Sequence, residues 1–226
     1  METIDTLLRR FEQLNEVGTA LSHERRIDRL LERILLAAKP ITRAEAGTLY
    51  RLTPDGSALR FEIVHNDRLA ITLGGASGQP ITGKFHDLPL RQPDGSPNHQ
   101  LVAAFAANTG LTVNLPDAYV ADGFDFSGTR RFDESTGYRS RSFLTVPMKN
   151  HVGDLIGVLQ LLNALDPVSG DVQAFTPADQ RLAESLASQA AVALTNQQLL
   201  QQLEALFESF IGLINAAIDE KSPYTG

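Results

Sequence analysis

The sequence predicts an α+β fold: a central antiparallel sheet flanked by helices, with one long helix at the C-terminal end. Three patterns in the 226 residues predict it. Apolar residues first step by threes and fours as far as Ala38. They then alternate by twos in short runs between Leu49 and Leu162. From Leu182 to Ala217 the three–four spacing returns and holds without a break.

The first helix carries a seam of Ile4, Leu7, Phe11, Leu14, Gly18 and Leu21, with charged residues at most other positions. A second runs from Ile27 to about Ala38, and Pro40 is expected to end it. Leu49, Tyr50 and Leu52, then Leu59, Phe61 and Ile63, read as two strands. The turn Thr53-Pro54-Asp55-Gly56 joins them. Ala70–Leu73 reads as a third short strand. Gly74 to Pro97 is a long polar loop rich in Gly and Pro, the kind that inside a compact domain tends to bind or cover something.

A short helix is expected between Pro97 and Asn108, ended by Gly110. Leu111–Leu115 reads as a strand. Asp117 to Gly137 reads as irregular, with a helical turn near Arg131–Ser135. Phe143–Met148 and Leu155–Leu162 form a hairpin through His151-Val152-Gly153-Asp154. Both faces of the second of these strands are apolar, so it is central to the sheet. Its exception is Gln160, which either bonds to the adjacent loop or faces a pocket.

Thr176 then reads as an N-cap, with Pro177 at the first helical position and Asp179 in the first turn. The helix is expected to run to Ser222-Pro223, which at 1.5 Å per residue is about 65 Å. Its seam is too long for one domain to bury, so much of it must meet another helix. The amphipathic ends therefore predict a homodimer held by the terminal helices.

Composition narrows the function. A net charge of -7 and the lack of a basic stripe argue against a nucleic-acid surface. No cysteine is present, which removes disulfides, thiolate metal sites and cysteine nucleophiles together. The N-terminus lacks a signal peptide's apolar core, and no stretch is long and apolar enough to span a bilayer. A cytoplasmic protein without membrane insertion is expected.

Two motifs look chemical and fail on inspection. Gly78-x4-Gly83-Lys84 approximates a phosphate-binding loop. However, Phe85 stands where Ser or Thr must reach magnesium, and the flanks are loop. His86-Asp87 matches a dipeptide of metal-dependent phosphohydrolases, but His23, His65, His99 and His151 sit in unrelated elements. No catalytic residues and no metal site are expected.

The informative stretches are Asn114-Leu-Pro-Asp-Ala-Tyr119, Thr136-Gly-Tyr-Arg-Ser-Arg-Ser142 running on to Val146-Pro-Met-Lys149, and Ile156-Gly-Val-Leu-Gln-Leu-Leu-Asn163. Together they resemble the GAF family, in the branch found in cyclic-nucleotide phosphodiesterases, cyanobacterial adenylyl cyclases and bacterial sensors. The resemblance implies a ligand pocket roofed by the mid-domain loops and short helices. It places Asp133, Thr136 and Ser140 over that pocket, where their simpler role is local capping. With Gln160 they are the candidate ligand-binding residues. In phosphodiesterase relatives an Asn-Lys…Phe…Asp-Glu signature pairs the lysine with the aspartate, tying strand to helix. Here Asn163, Phe175 and Asp179 match, while Ala164 and Gln180 stand in for the lysine and glutamate, so that link is not expected.

The C-terminal stretch, Leu206-Phe-Glu-Ser-Phe210 and then Ala217 to Gly226, resembles the entry segment of HD-GYP-type phosphohydrolase domains. The expected organisation is a dimerisation helix over 1–25, a sensor domain over 26–175, a signalling helix over 176–221 and the start of a missing domain at 222–226.

Three functional readings follow. The first is a regulatory sensor that passes ligand state down its last helix to a downstream phosphohydrolase domain. The second is an enzyme on the same fold, such as a methionine-sulfoxide reductase, which would need cysteines. The third is a dimerisation scaffold with an empty or filled-in pocket. A cyclic nucleotide or another small polar metabolite is the ligand class considered. A covalently held bilin is excluded by the lack of cysteine, and no cofactor is expected.

Overall fold

The structure, a computed structural model, describes residues 4–83 and 85–221. Lys84 of the loop motif and residues 222–226, read as the start of a further domain, lie outside the described residues. Five helices and eight strands form an α+β fold. The sheet order is β3-β2-β1-β7-β6-β5, with every pairing antiparallel. These strands are β1 Ala44–Leu52, β2 Ala58–Asn66, β3 Ile71–Gly74, β5 Val113–Leu115, β6 Phe143–Lys149 and β7 Leu155–Leu165. Two-residue strands add to its edges: β4 (Leu88–Pro89) on β2 and β8 (Val172–Gln173) on β7.

The sheet separates two layers. Leu144, Val146 and Met148 of β6 and Leu159 and Leu161 of β7 point into a core with helices α1 (Ile4–His23), α2 (Ile27–Thr42) and α5 (Pro177–Lys221). The alternate residues Tyr50, Val158 and Phe143 point the other way. They meet α3 (Val102–Thr109) and the segment around α4 (Ser127–Thr136). This period of two is what the central position of β7 requires. Gly157 has no Cβ because one there would collide with the Tyr50 carbonyl across the β1–β7 ladder.

Several elements run further than the sequence suggests. Pro40 does not end α2, which continues to Thr42. The carbonyl that Pro40 leaves unpaired belongs to Leu36, whose side chain faces outward, so water can satisfy it. The actual stop is Arg43, left-handed at φ 60, whose N–H caps the carbonyls of Lys39 and Pro40. The helical turn expected near Arg131–Ser135 is a ten-residue helix, α4, closed by Gly137 at φ 70.

The start of α5 is as expected. The Asp179 N–H donates to Thr176 Oγ1 at 3.2 Å, and the Thr176 N–H donates to Asp179 Oδ2 at 2.7 Å, a reciprocal cap. The tie from sheet to helix does form, by a different route. Asp179 is fully buried and accepts from Arg43 at 3.1 and 3.2 Å and from Arg10 of α1. Ala164 pairs with Ala44 across the ladder, so Arg43, the residue just before β1, starts next to the position where relatives carry lysine.

Only the first half of α5 lies on the core. Leu186, Ala190 and Leu194 are buried, whereas Leu200, Leu203, Phe207 and Phe210 are more than half exposed. The N-terminal half of the α1 seam is exposed as well, through Ile4, Leu7 and Phe11, while Leu14 and Leu21 are buried.

Candidate functional site

A cavity of about 1420 Å³ opens on the face of the sheet away from α5. It exceeds the ~300–1,000 Å³ of ordinary small-molecule pockets. Its floor is formed by β1, β2, β3 and β7, with Phe143 of β6. Its walls are the start of α3, one face of α4, and the loop from Ser77 to His86.

Thr48, Gln160 and Thr145 sit side by side on β1, β7 and β6; Thr48 and Gln160 line the cavity, and Thr145 is fully buried beside them. Gln160 is 8% exposed; its Nε2 donates to Thr145 Oγ1 at 3.0 Å, and its Oε1 accepts from Tyr50 Oη at 3.1 Å. Of the two roles open for Gln160, it takes the pocket-facing one, and its protein partners lie on neighbouring strands. Two bonds leave one amide N–H and one oxygen lone pair uncommitted at the cavity floor. Burial raises the Tyr50 pKa, so its hydroxyl stays protonated and keeps donating.

An aromatic series climbs from this floor to the roof. Tyr50 packs against Phe61 with ring centroids 4.7 Å apart, and Phe61 against Phe85 of the covering loop at 5.1 Å, both pairs tilted by nearly 60°. Glu32 of α2 holds the start of that loop through the Ala76 N–H at 3.3 Å and the Ser77 hydroxyl.

The other candidate residues divide. Ser140 is buried and lines the cavity, and Thr136 lies on its exposed rim. The Thr136 hydroxyl donates to the Phe132 carbonyl at 2.8 Å. Asp133 does not line the cavity. It is 3% exposed and accepts from Tyr119 Oη at 2.7 Å and from the N–H and Oγ of Ser140, both at 2.8 Å. Its carboxylate fastens α4 to the strand that follows. In turn it raises the Tyr119 pKa, chiefly through that hydrogen bond.

Asn163 has a larger positional role than its place in a signature suggests. Its Oδ1 accepts from the Arg141 N–H at 2.7 Å and the Ser142 N–H at 3.3 Å. Its Nδ2 reaches Tyr138 Oη at 2.8 Å, the Arg139 carbonyl at 2.9 Å and Glu45 Oε2 at 3.2 Å. It does this at φ 56, a left-handed conformation that Asn tolerates better than most residues. One side chain thereby ties the segment 138–142, which borders the cavity, to the centre of the sheet.

At the other wall, the first turn of α4 has no side-chain cap at Phe126. Gly128 and Thr129, which line the cavity, precede the first intrahelical bond, Arg130 N–H to Phe126 O at 2.9 Å. Arg131 stands in the same wall. A second, smaller cleft of about 490 Å³ lies beyond the end of α2. There Lys39 Nζ donates to His65 Nδ1 and to Asp67 Oδ1, both at 2.7 Å. Among the described residues no group of three or more His, Asp or Glu is placed to hold a metal ion. No described helix is long and apolar enough to cross a membrane.

An antiparallel six-strand path with a helical layer behind it and a cavity under short helices in front is a sensor-type architecture. The family model for the GAF domain matches residues 26–194. The chain belongs to the GAF domain family. It is 33% identical over 101 residues to a dual 3',5'-cyclic-AMP and -GMP phosphodiesterase 11 of Drosophila melanogaster; the match takes in 45% of this chain and 6% of that protein. A dual phosphodiesterase 11A of Takifugu rubripes is 33% identical over 98 residues, 43% of this chain and 10% of that one. The chain thus spans at most a tenth of these relatives.

Solved structures agree on the fold. The GAF domain of a phosphoenolpyruvate-protein phosphotransferase from Coxiella burnetii superposes with a TM-score of 0.60 at 10% identity, covering 87% of this GAF chain and 98% of that one. A free methionine-R-sulfoxide reductase from Neisseria meningitidis, solved with its substrate, superposes with a TM-score of 0.59 at 16% identity, covering 88% and 96%. The fold therefore serves both regulatory and enzymatic proteins. GAF domains are in general regulatory.

Proposed function

We propose that this GAF chain is a small-molecule sensor that works as a homodimer through its terminal helices and signals along α5 to an HD-GYP-type phosphohydrolase domain beyond Gly226. The observation that carries the sensing role is the open cavity with Gln160 at its floor. A dimerisation scaffold with a filled-in pocket would have that space packed by side chains. The uncommitted donor and acceptor of Gln160, the aromatic series, the buried Ser140 and the polar rim at Thr136 suit a flat ligand with polar edges. A cyclic nucleotide has that chemistry, and the phosphodiesterase relatives support it as a candidate. Reductase chemistry on this fold is disfavoured because the chain has no cysteine to supply electrons.

Signalling would use the contact of α5 with the back of the sheet. The strands carrying Gln160 and Thr145 pack against the first half of α5 through Leu144, Leu159 and Leu161. A ligand that shifts the floor by a fraction of an ångström would bias how α5 pairs with its partner, with a coupling of about 1–3 kcal/mol.

Native mass spectrometry of the purified chain tests for a retained ligand, and isothermal titration with cyclic AMP and cyclic GMP tests the candidate class. Gln160→Leu should weaken binding about tenfold, the loss of one hydrogen bond's ~1.4 kcal/mol. Binding that ignores this substitution would place the ligand elsewhere. If no metabolite binds at all, the scaffold role stands in its place.

A further inference from the structure

The smaller cleft beyond the end of α2 is separate from the main cavity; among the described residues His65 alone lines both. Its volume of about 490 Å³ lies inside the ~300–1,000 Å³ range of small-molecule sites. Two cations and two carboxylates stand in its walls. Lys39 lies in the last turn of α2 and Arg43 just after it, Asp67 follows β2, and Asp166 follows β7. Leu36, Pro40 and Leu165 supply an apolar side.

The cations are not exhausted by the protein. The Lys39 side chain is only 5% exposed. Its ammonium donates to His65 Nδ1 and Asp67 Oδ1, both at 2.7 Å, which leaves one N–H of a buried cation uncommitted. Arg43 bonds Asp179 through Nη2 alone. Its Nη1 meets no acceptor among the described residues, and its Nε is buried without a partner. Asp179 also divides its charge between Arg43 and Arg10.

The carboxylates are open as well. Asp67 is 61% exposed beyond its bond to Lys39. Asp166 Oδ1 accepts from the N–H groups of Val168 and Ser169, both at 2.9 Å. Those backbone bonds, and Arg43 more weakly, lower its pKa, so a full negative charge stands at the rim.

This charge pattern selects the ligand. An anion alone would gain Lys39 and Arg43 and face Asp67 and Asp166; a cation alone would meet the reverse. A compact molecule with both signs and an apolar body offers each wall its complement. We propose that the cleft binds a zwitterion, an apolar α-amino acid, with its carboxylate on Lys39 and Arg43, its ammonium toward Asp166 and Asp67, and its side chain on Leu36, Pro40 and Leu165. Arg43 also holds Asp179, so the occupied cleft touches the tie at the base of α5 and adds an input separate from the main cavity.

Isothermal titration of the full chain with L-valine, L-leucine, L-isoleucine and L-methionine tests it. At least one should bind at millimolar concentration or below. The deaminated acid and the decarboxylated amine of that amino acid should each bind about tenfold more weakly, because each lacks one charged hydrogen-bonding group. Asp166→Asn keeps an acceptor for its turn and removes the rim charge, so it should weaken binding about tenfold. Lys39→Met keeps the buried apolar stem, should weaken binding likewise, and is read in its place if Asp166→Asn folds poorly. Gln160→Leu, in the main cavity, should leave the affinity unchanged. Affinity lowered by the cleft variant and not by Gln160→Leu supports the site, and any other pattern overturns it. An acid or amine that binds as tightly as its parent overturns the zwitterion. No binding by any of these amino acids overturns the site outright. Cyclic nucleotides enter none of these outcomes, so the sensor proposal and this one fail separately.

Discussion

Arg43 and Asp179, 136 residues apart in sequence, meet at 3.1 and 3.2 Å and join the junction between α2 and the first strand to the long helix behind the sheet. Arg10 reaches the same carboxylate from α1. Three elements thus converge on one buried anion at the base of the helix proposed to carry the signal.

Removing the anion should be costly. Asp179→Ala leaves two guanidinium groups without it in a buried site, and loss of one partner of a buried pair typically costs about 3–5 kcal/mol. Urea denaturation of the variant should show a midpoint shift of that size with an unchanged slope. A shift under ~1 kcal/mol, the value of a surface pair, would mean that the arginines are solvated and the tie is weak.

Asn163→Ala should loosen the cavity border more than it unfolds the domain. It strips four hydrogen bonds from the segment 138–142 and a fifth from Glu45, and places Ala at φ 56. The expected loss is about 2–4 kcal/mol, from unmet backbone donors and the unfavourable conformation. Hydrogen exchange should rise at Arg141 and Ser142, whose N–H groups the side chain holds, ahead of the β1–β7 ladder. Uniform exchange across the sheet would show that Asn163 supports the whole fold instead.

Gly157→Ala tests the centre of the sheet. The added methyl would collide with the Tyr50 carbonyl. A loss of about 1–3 kcal/mol is expected, as for overpacking elsewhere. Because Tyr50 positions the Gln160 amide, ligand affinity should fall with it. Full stability would mean that β1 and β7 separate more easily than their register implies.

His65 makes stability depend on pH. Burial and then the Lys39 ammonium lower its pKa, with Asp67 and Glu32 opposing them. Its folded-state value lies below the unfolded one, so the folded protein binds the proton less readily. The stabilisation from neutral His65 is complete above the unfolded value near 6.5. It is lost as pH falls through the folded value. Thermal midpoints of the parent chain should drop on acidification through this window, and those of His65→Gln should drop less. Identical pH profiles would remove His65 from the account.

Much of the fold is legible in the sequence because it is set by local periodicity. The alternation in Leu155–Leu162 fixes a central strand. Thr176-Pro177 with Asp179 fixes where α5 begins, since cap, proline and acidic first turn act within four residues. The two-faced pattern also isolates Gln160 as the polar exception in an apolar strand. Its partners Tyr50 and Thr145 were not visible, because strand register is a property of the assembled sheet.

The candidate site is legible only in part. Ser140 and Asp133 are seven residues apart, and sequence alone allows both to face a ligand. Tertiary structure turns Asp133 inward to Tyr119 and Ser140, because a buried carboxylate takes the donors nearest to it. The Asp179 tie hides for a related reason. A signature lists residues at fixed spacing, whereas an ion pair needs only that two charges meet, and Arg43 meets Asp179 from the junction of α2 and β1.

What the sequence determined by itself is the order of elements, the fold class, the absence of cysteine chemistry and the apolar rows of the terminal helices. Each follows from residue types a few positions apart. Only the tertiary structure decided that Pro40 stays inside α2, that a cavity remains open over Gln160, and that α1 runs alongside α5 but ends before its exposed half. Those outcomes depend on how helices, strands and loops from distant parts of the chain share the available volume, and close packing is settled only when all of them are in place.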